Sequence, residues 1–198
     1  MGSGDKPLGV ILAGGAGRRI GGGKAFVPLA GKALIAHVQD RVAPQCARLA
    51  VSANGPADRY TALGLQVIAD GGEGGSGPLA GILAAMDWAA AQGATRVLSL
   101  PVDTPFLPDD LARRLAAVDA PIALAATADG VHGTCGLWDV RVRDALAAAL
   151  ASGIRKVTAF TEAQGALPVV FPDTRPPGFF NVNTPEDLEA AENLLAGR

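Results

Sequence analysis

GVILAGGAGRRIGGGKAFVPLAGK, residues 9–32, joins a short apolar run to a long loop that is dense in glycine and basic residues. The run VILA at 10–13 predicts a buried strand, because four apolar residues between glycines suit a parallel sheet covered on both faces. The loop that follows can bring backbone N–H groups close to a ligand without Cβ obstruction, and it carries Arg18, Arg19 and Lys24. This composition predicts a binding site for a triphosphate.

Two well-known phosphate-binding loops do not fit these residues. A dinucleotide fingerprint requires a glycine three residues after Gly17, where Ile20 stands. A P-loop requires a glycine six residues before the lysine and a Ser or Thr after it, but Arg18 and Ala25 occupy those positions. A mobile linker is the alternative use of a glycine-rich segment. Three cations beside a buried strand favour ligand binding over a linker.

Length and charge restrict the class of protein. With 198 residues, 49% of them hydrophobic, the chain can bury a sizeable core. We expect one domain at 7–198 after a disordered or artificially added lead-in at 1–6. A formal net charge of −2 argues against a general nucleic-acid binder. No apolar run approaches the roughly 20 residues of a membrane span and no charged-then-apolar leader opens the chain, so a soluble, cytoplasmic protein is expected.

The cysteines and histidines do not form a metal-binding pattern. Cys46 and Cys135 are too few for a disulfide framework and too isolated for a zinc site, so both are predicted to be buried small hydrophobes. His37 is predicted to be a surface or boundary residue of an amphipathic helix. His132 has no ligand spacing either, and its simplest interpretation is a hydrogen-bonded residue at a strand edge.

Predicted helices and strands alternate along the rest of the chain, which is typical of a parallel sheet with helices on both faces. Further strands are predicted at 48–53, 65–69, 97–102, 122–126, 136–138 and 167–171. Helices are predicted to begin near residues 34, 58, 78, 108, 141, 157 and 184. Thr184 is a strong helix N-cap, because Pro185 and two acidic residues follow it. The pattern predicts a three-layer α/β/α domain with a mostly parallel sheet.

Four predicted strands end at polar or glycine-rich features. The first ends at the glycine-rich loop, the second at Asn54, the third at Asp70 and the fourth at Asp103. Ligands of open α/β sheets bind outside the carboxyl ends of the strands, so we expect these features to converge on one edge. Asp103 is predicted to bind a metal ion there, with a turn or helix-capping aspartate as the alternative.

Six short motifs resemble, in their order along the chain, those of the molybdenum cofactor guanylyltransferases. They are LAGGAGRRIGGGK at 12–24, SAN at 52–54, VIAD at 67–70, GPLAG at 77–81, PVDTPFLP at 101–108 and NVNTPEDL at 181–188. The resemblance spans nearly the whole chain. It implies a Rossmann-like nucleotidyltransferase fold of the nucleotide-diphospho-sugar transferase type.

The resemblance also implies a reaction and its partners. GMP would be transferred from GTP to molybdopterin carrying molybdenum, with release of pyrophosphate and with Mg²⁺ as cofactor, Mn²⁺ being the alternative. The expected partners are GTP and molybdopterin, with transient contacts to molybdenum cofactor biosynthesis or acceptor proteins. Neither nucleic acid nor a membrane is expected as a partner, and the protein is expected to be a monomer.

The same resemblance assigns roles to individual positions. The nucleotide would contact residues at the strand ends, namely Leu12, Ala13, Gly14, Gly15, Asn54 and Asp70. Lys24 and Arg19 would bind its phosphates, and Asp103 would hold the metal; these three are the expected catalytic residues. On the pterin side the matching positions are Asn181, Asn183 and His132.

The chemistry of nucleotidyl transfer is consistent with these residues. An anionic phosphate oxygen attacks the α-phosphorus, so the main obstacle is repulsion between two anions, which cations, N–H groups and a metal-binding carboxylate can offset. Two alternatives stay open: a CTP-dependent cytidylyltransferase acting on molybdopterin or an alcohol phosphate, and a non-catalytic nucleotide-binding module. Gly14 favours GTP, because related cytidylyltransferases resemble LAAG here and the missing Cβ leaves room for a purine.

Overall fold

Strands and helices alternate along the part of the chain that the computed structural model describes, which comprises residues 6–14, 23–54, 56–69 and 77–197. The strands are β1 (Leu8–Leu12), β2 (Pro28–Leu29), β3 (Lys32–Ala33), β4 (Arg48–Ser52), β5 (Gln66–Ile68), β6 (Arg96–Pro101), β7 (Ile122–Thr127), β8 (Gly130–Asp139) and β9 (Leu167–Val170). The helices are α1 (Leu34–Val42), α2 (Asp58–Thr61), α3 (Pro78–Ala91), α4 (Leu111–Ala116), α5 (Arg143–Ala151), α6 (Val157–Ala163) and α7 (Pro185–Leu195).

In this described part, seven strands form one sheet in the order β5-β4-β1-β6-β8-β7-β9, and β2 and β3 form a separate antiparallel pair. The strands β5, β4, β1 and β6 are parallel neighbours, and β9 runs parallel to β7. Only β8 runs against its neighbours in this sheet. The predicted α/β fold with a mostly parallel sheet is confirmed.

The strand β1 lies at the centre of the parallel half of the sheet and is covered on both faces. Val10 and Ile11 are fully buried, and they face opposite sides because successive side chains of a strand alternate. Val10 packs in a cluster with residues of α3, whereas Ile11 packs in a second cluster with residues of α1. The short apolar run therefore forms a buried strand, as its sequence predicts.

The strand β8 is longer than the sequence predicted. Residues 136–138 were expected to be a short strand, but β8 begins at Gly130, directly after a tight turn that reverses the chain, and is inserted between β6 and β7. Its first half is polar and only half-buried, so it lacks the apolar alternation of a typical strand. At Gly136 an added Cβ would lie 2.6 Å from a Leu124 methyl, so this close approach of β7 requires glycine.

The helix α7 is fixed by the N-cap that the sequence predicted. Thr184 Oγ1 accepts a hydrogen bond from the Asp187 backbone N at 3.2 Å, and the Asp187 carboxylate accepts one from the Thr184 backbone N at 2.9 Å. Asp187 Oδ2 also accepts from the Asn183 backbone N at 2.8 Å. These bonds to backbone N–H groups hold the pKa of Asp187 below its usual value. The capping box therefore fixes the position of Asn183, just before the helix.

The cysteines and His37 have structural environments, as predicted. Cys46 and Cys135 are buried, and burial raises the pKa of the Cys46 thiol to about 12 and raises the pKa of the Cys135 thiol as well. His37 lies half-buried on α1, with Nε2 2.9 Å from the Leu29 carbonyl oxygen. A search of the described helices found none long and apolar enough to cross a membrane.

Candidate functional site

The carboxyl ends of β1, β4 and β6 lie side by side, which brings together three of the predicted strand-end features. Leu12 is in register with Ser52 on one side and Pro101 on the other. The pairing continues past the strand ends, since the Ala13 N–H donates to the Ser52 carbonyl at 2.8 Å and the Val102 N–H to the Leu12 carbonyl at 3.3 Å. Gly14, Asn54 and Asp103 therefore follow neighbouring strand ends.

Lys24 connects two of the other predicted site residues. Its Nζ donates to Asp103 Oδ2 at 2.6 Å and to Asn183 Oδ1 at 2.5 Å. The side chains of Lys24 and Asp103 are 11% and 22% exposed, so water screens their ion pair only in part. We call Lys24, Asp103 and Asn183 the charge centre. Its members come from three segments that lie far apart in the sequence.

The segment after the glycine-rich loop is anchored strongly enough to fix the position of Lys24. Gly23 adopts left-handed backbone angles, with φ 58°, and a short 3₁₀ turn over Lys24–Phe26 follows. The Phe26 ring lies 4.8 Å from the Tyr60 ring between centroids, and the Arg59 guanidinium carbon lies 3.6 Å from the Phe26 centroid. These contacts hold Lys24 against Asp103. They do so without an acidic partner in the segment directly before Lys24, since 20–23 contains no acidic residue.

One backbone and one side-chain hydrogen bond join the segment 179–183 to the residues that follow β6. The Val182 N–H donates to the Asp103 carbonyl at 2.9 Å. The Thr104 hydroxyl donates to Asn181 Oδ1 at 3.0 Å and lies 3.3 Å from Asp103 Oδ1. Asp103 is therefore positioned both by its own strand and by the segment that carries the two predicted asparagines.

A cavity of about 400 Å³ lies next to the charge centre on the β8 side. It is lined by Pro101, Thr104, Val131, His132, Gly133, Thr134, Cys135, Lys156, Val157, Thr158, Phe179 and Asn181. Cavities of this size accommodate small organic ligands. Thr104 and Asn181 line the cavity and also contact each other beside Asp103, so the cavity opens close to the charge centre.

His132 lies in the wall of this cavity. Its ring stacks on Phe179 with centroids 4.5 Å apart and planes 11° apart, and Nε2 lies 3.0 Å from Thr127 Oγ1. Burial lowers the pKa of His132 below its ordinary value, and the nearby Asp129 carboxylate opposes that shift. Burial therefore favours the neutral form of the imidazole. His132 is therefore a hydrogen-bonded strand residue that also lines a ligand-sized cavity.

Three residues of this region were not identified as site residues from the sequence. Lys156 immediately precedes α6 and lines the cavity, Thr104 connects Asp103 to Asn181, and Phe179 supports His132. The basic pair at 155–156 before a helix start is the only signal that could have indicated Lys156. Thr104 and Phe179 carry no signal of their own, because their roles depend on contacts between distant segments.

Three predicted residues lie outside the described ranges, namely Gly15, Arg19 and Asp70. Of the predicted nucleotide contacts that are described, Leu12 and Ala13 are half-buried, and Gly14 and Asn54 are exposed at the strand ends. Asn181 and Asn183, both assigned to the pterin side, differ in position: Asn181 lines the cavity, whereas Asn183 binds Lys24.

The residues around Asp103 fit part of a magnesium site. Within the described ranges there is no group of three or more His, Cys, Asp or Glu side chains that could hold a metal ion by themselves. Magnesium in phosphate-transferring enzymes is usually bound by one or two carboxylates together with substrate phosphates and water. A partly exposed Asp103 carboxylate at a strand end, beside a predicted triphosphate loop, is a donor of this kind.

Comparisons with known proteins identify the family to which the chain is similar. The family model for the MobA-like NTP transferase domain matches residues 9–166. A molybdenum cofactor guanylyltransferase from Cereibacter sphaeroides is 49% identical over 190 residues, which cover 95% of this chain and 96% of that relative. A protein of the same name from Acidiphilium cryptum is 48% identical over 198 residues, covering 99% and 97% of the two chains.

A solved structure gives the same result. The crystal structure of molybdopterin-guanine dinucleotide biosynthesis protein A from Archaeoglobus fulgidus superimposes with a TM-score of 0.78 at 26% sequence identity, covering 96% of this chain and 100% of that chain. The relatives therefore carry the family name that the six sequence motifs predicted.

Proposed function

This chain belongs to the MobA-like NTP transferases, among the molybdenum cofactor guanylyltransferases, and on that premise we propose how its residues perform the reaction. GMP is transferred from GTP to the terminal phosphate of molybdenum-bearing molybdopterin at the charge centre, and pyrophosphate is released. The observation that carries the proposal is the position of Lys24, whose Nζ lies 2.6 Å from Asp103 Oδ2, beside the Thr104–Asn181 pair that lines the cavity.

The nucleotide binds on the β1 side of the charge centre. Leu12, Ala13 and Gly14 lie at the end of β1, and Asn54 follows the neighbouring strand end. Gly15, Arg19 and Asp70 complete this side by the family resemblance. The exposed backbone at Gly14 pairs with the guanine edge, because a purine has room where no Cβ projects. Another base would leave some of the polar groups that it buries without hydrogen-bond partners, and the cost of leaving them unpaired provides the selectivity.

The acceptor binds in the cavity on the β8 side. The stacked pair of His132 and Phe179 offers an apolar, aromatic surface for the pterin, and Asn181 and Lys156 provide polar and cationic groups nearby. A neutral His132 can either donate or accept a hydrogen bond with a heterocycle. Asn183 acts at the charge centre, where it holds Lys24 between the two substrates.

The transfer step requires no general base. An oxygen of the acceptor phosphate, already anionic, forms a bond to the α-phosphorus of GTP, while the bond from that phosphorus to the oxygen of the β-phosphate breaks. Pyrophosphate leaves with the electron pair of the broken bond. The site therefore has to hold two anions in line and offset their repulsion. Lys24 supplies positive charge at this point, and Arg19 is proposed to supply more.

Asp103 is the residue that we propose holds Mg²⁺, or Mn²⁺, together with the phosphates of GTP. The metal, when bound, neutralises charge that develops on the phosphates and leaving group. Lys24 donates to Asp103 Oδ2, so this carboxylate would serve both the lysine and the metal. The Lys24 ammonium has three N–H donors, two of which bind Asp103 and Asn183, so the third would be available to the phosphates.

A turnover assay tests the proposal directly. The purified protein is incubated with molybdopterin, Mg²⁺ and one nucleoside triphosphate at a time, and pyrophosphate and the dinucleotide product are measured. We expect kcat/KM for GTP to exceed that for CTP and ATP by at least about 100-fold. Equal use of CTP would support the cytidylyltransferase alternative, and binding of GTP without product would support a non-catalytic module.

The remaining expectations follow from the family and are part of the same proposal. We propose that the protein acts as a monomer in the cytoplasm and contacts molybdenum cofactor biosynthesis or acceptor proteins transiently. Light scattering of the purified protein with and without both substrates measures the oligomeric state. A stable dimer would contradict the monomer.

A further inference from the structure

Thr104 differs from an ordinary buried hydroxyl in what it contacts. It is 1% exposed, and its Oγ1 lies 3.0 Å from Asn181 Oδ1 and 3.3 Å from Asp103 Oδ1. Ser99, a buried hydroxyl on the preceding strand, instead donates to the Thr134 backbone carbonyl at 2.9 Å and accepts from the Trp138 indole at 2.7 Å. The Ser99 hydroxyl makes its hydrogen bonds within the packed core, whereas the Thr104 hydroxyl connects two functional side chains.

The single hydroxyl proton can be shared in two ways. In the observed orientation the proton is donated to Asn181 Oδ1, the shorter of the two contacts. If the Asn181 amide turns by half a rotation, its NH₂ group donates to Thr104 Oγ1 and the hydroxyl proton is available to Asp103 Oδ1. In either state the orientation of one neighbour limits the orientation of the other.

The backbone around Thr104 is held independently of this hydroxyl. The Val182 N–H donates to the Asp103 carbonyl at 2.9 Å, and Val182 packs in one buried cluster with Phe106. Removing the hydroxyl should therefore leave the two segments together and alter only the orientations of the Asp103 and Asn181 side chains.

We propose that Thr104 is a positioning residue that couples the two substrate sites, by orienting the Asp103 carboxylate towards the metal–nucleotide complex and Asn181 towards the acceptor. The inference rests on the proposed function, since it assigns Asp103 to the nucleotide side and Asn181 to the cavity side. Thr104 touches the reacting groups only through these two residues. Its hydroxyl contacts a residue of the charge centre, Asp103, and a residue of the cavity wall, Asn181.

The first test compares two substitutions at this position. Thr104→Val keeps the shape and removes the hydroxyl, and we expect it to lower kcat by about 10-fold or more, because misdirected groups lose in-line geometry. Thr104→Ser keeps the hydroxyl and should restore most of kcat. Thr161→Val is the matched control, because Thr161 is a buried hydroxyl that donates to the Thr158 carbonyl within its own helix. The control should retain the parent kcat.

A second measurement separates positioning from a general loss of structure. Thr104→Val should weaken Mn²⁺–GTP binding, measured by calorimetry, and raise KM for molybdopterin, each by at least about 3-fold. An effect on one substrate alone, or a Thr104→Ser variant as impaired as Thr104→Val, would overturn the coupling.

A double-mutant cycle tests the route through Asn181. Asn181→Ala removes the hydrogen bond between Thr104 and Asn181 by changing the exposed partner. Because an exposed residue is changed, this variant remains informative if Thr104→Val does not fold. We expect Asn181→Ala also to weaken Mn²⁺–GTP binding, and the double variant to be less impaired than the product of the single effects. Strictly multiplicative effects would overturn the inference. A parent protein that does not transfer GMP would instead refute the proposed function, so the two failures are distinguishable.

Discussion

The nucleotide side and the acceptor side of the charge centre are built in different ways. The proposed nucleotide side depends mainly on one stretch, 12–24, whose glycines and basic residues are the proposed binding elements. The acceptor side is assembled from the ends of β6 and β8, the start of α6 and the segment 179–181. The comparison suggests that an anionic ligand can be bound by a local loop, whereas a heterocycle requires walls from distant segments.

The largest expected effect is at Asp103, in the charge centre. Asp103→Asn keeps the size of the side chain and removes the charge that pairs with Lys24 and that we propose binds the metal. We expect kcat to fall by at least about 100-fold while the fold persists. GMP transfer and thermal unfolding are the measurements.

The matched control for this variant is Asp109→Asn, which removes an exposed carboxylate paired with Arg41. Its turnover should equal that of the parent, because exposed ion pairs contribute little. Near-normal turnover of folded Asp103→Asn would move the metal elsewhere on the nucleotide side, and Asp70 would be the next candidate.

The second prediction tests whether Lys24 serves the nucleotide side. Lys24→Ala removes a charge-assisted contact and should reduce transition-state stabilisation by about 2 kcal/mol. This loss is measured as a lower kcat/KM for GTP. Lys32→Ala is the control, because Lys32 is an exposed lysine paired with Asp40. Unchanged kinetics for Lys24→Ala would leave Arg19 as the leading phosphate-binding cation and would assign Lys24 a structural role at the charge centre.

The third prediction concerns the nucleotide base, and it tests whether a change on the nucleotide side leaves the acceptor side unaffected. Gly14→Ala adds a Cβ at the end of β1 and should reduce the preference for GTP over CTP by about 10-fold, because it crowds the purine. KM for molybdopterin should not change, since the cavity lies on the other side of Asp103. A variant as selective as the parent would show that the base is selected elsewhere.

The smallest effect is expected from His132, on the acceptor side. Burial favours its neutral form in the folded protein, so its pKa is lower when folded than when unfolded. As pH falls through about 6.5, His132 takes up a proton in the unfolded chain before it does so in the folded protein. The folding stability that is fully present above this pH is therefore lost progressively as the pH approaches the folded pKa. The stability advantage of the parent over His132→Gln should therefore shrink between about pH 7.5 and 5.5.

Urea unfolding of both proteins across this pH range measures the effect. A stability advantage that grows at low pH would contradict a buried, neutral imidazole. KM for GTP in His132→Gln should equal that of the parent, because the substitution is confined to the acceptor side.

Much of the fold could be predicted because its signals are local. The run at 10–13 forms the central strand, and Thr184 forms the N-cap that its neighbours indicate. The first half of β8 could not be predicted, because residues 130–135 carry neither a continuous apolar run nor strict alternation. They form a strand because the turn before them reverses the chain onto β7, whose residues Ala126 and Thr127 pair with Val131 and Gly130.

The sequence by itself determined the central strand, the strand-end positions of Asn54 and Asp103 and the family, because each depends on residue type and on order along the chain. The tertiary structure alone decided that Lys24 binds Asp103, that His132 stacks on Phe179 and that Thr104 contacts Asn181. These contacts join residues separated by tens of positions, and their distances depend on how helices and strands pack. No local pattern encodes such distances, because hydrophobic packing fixes the layers without specifying which polar side chains meet at their edge.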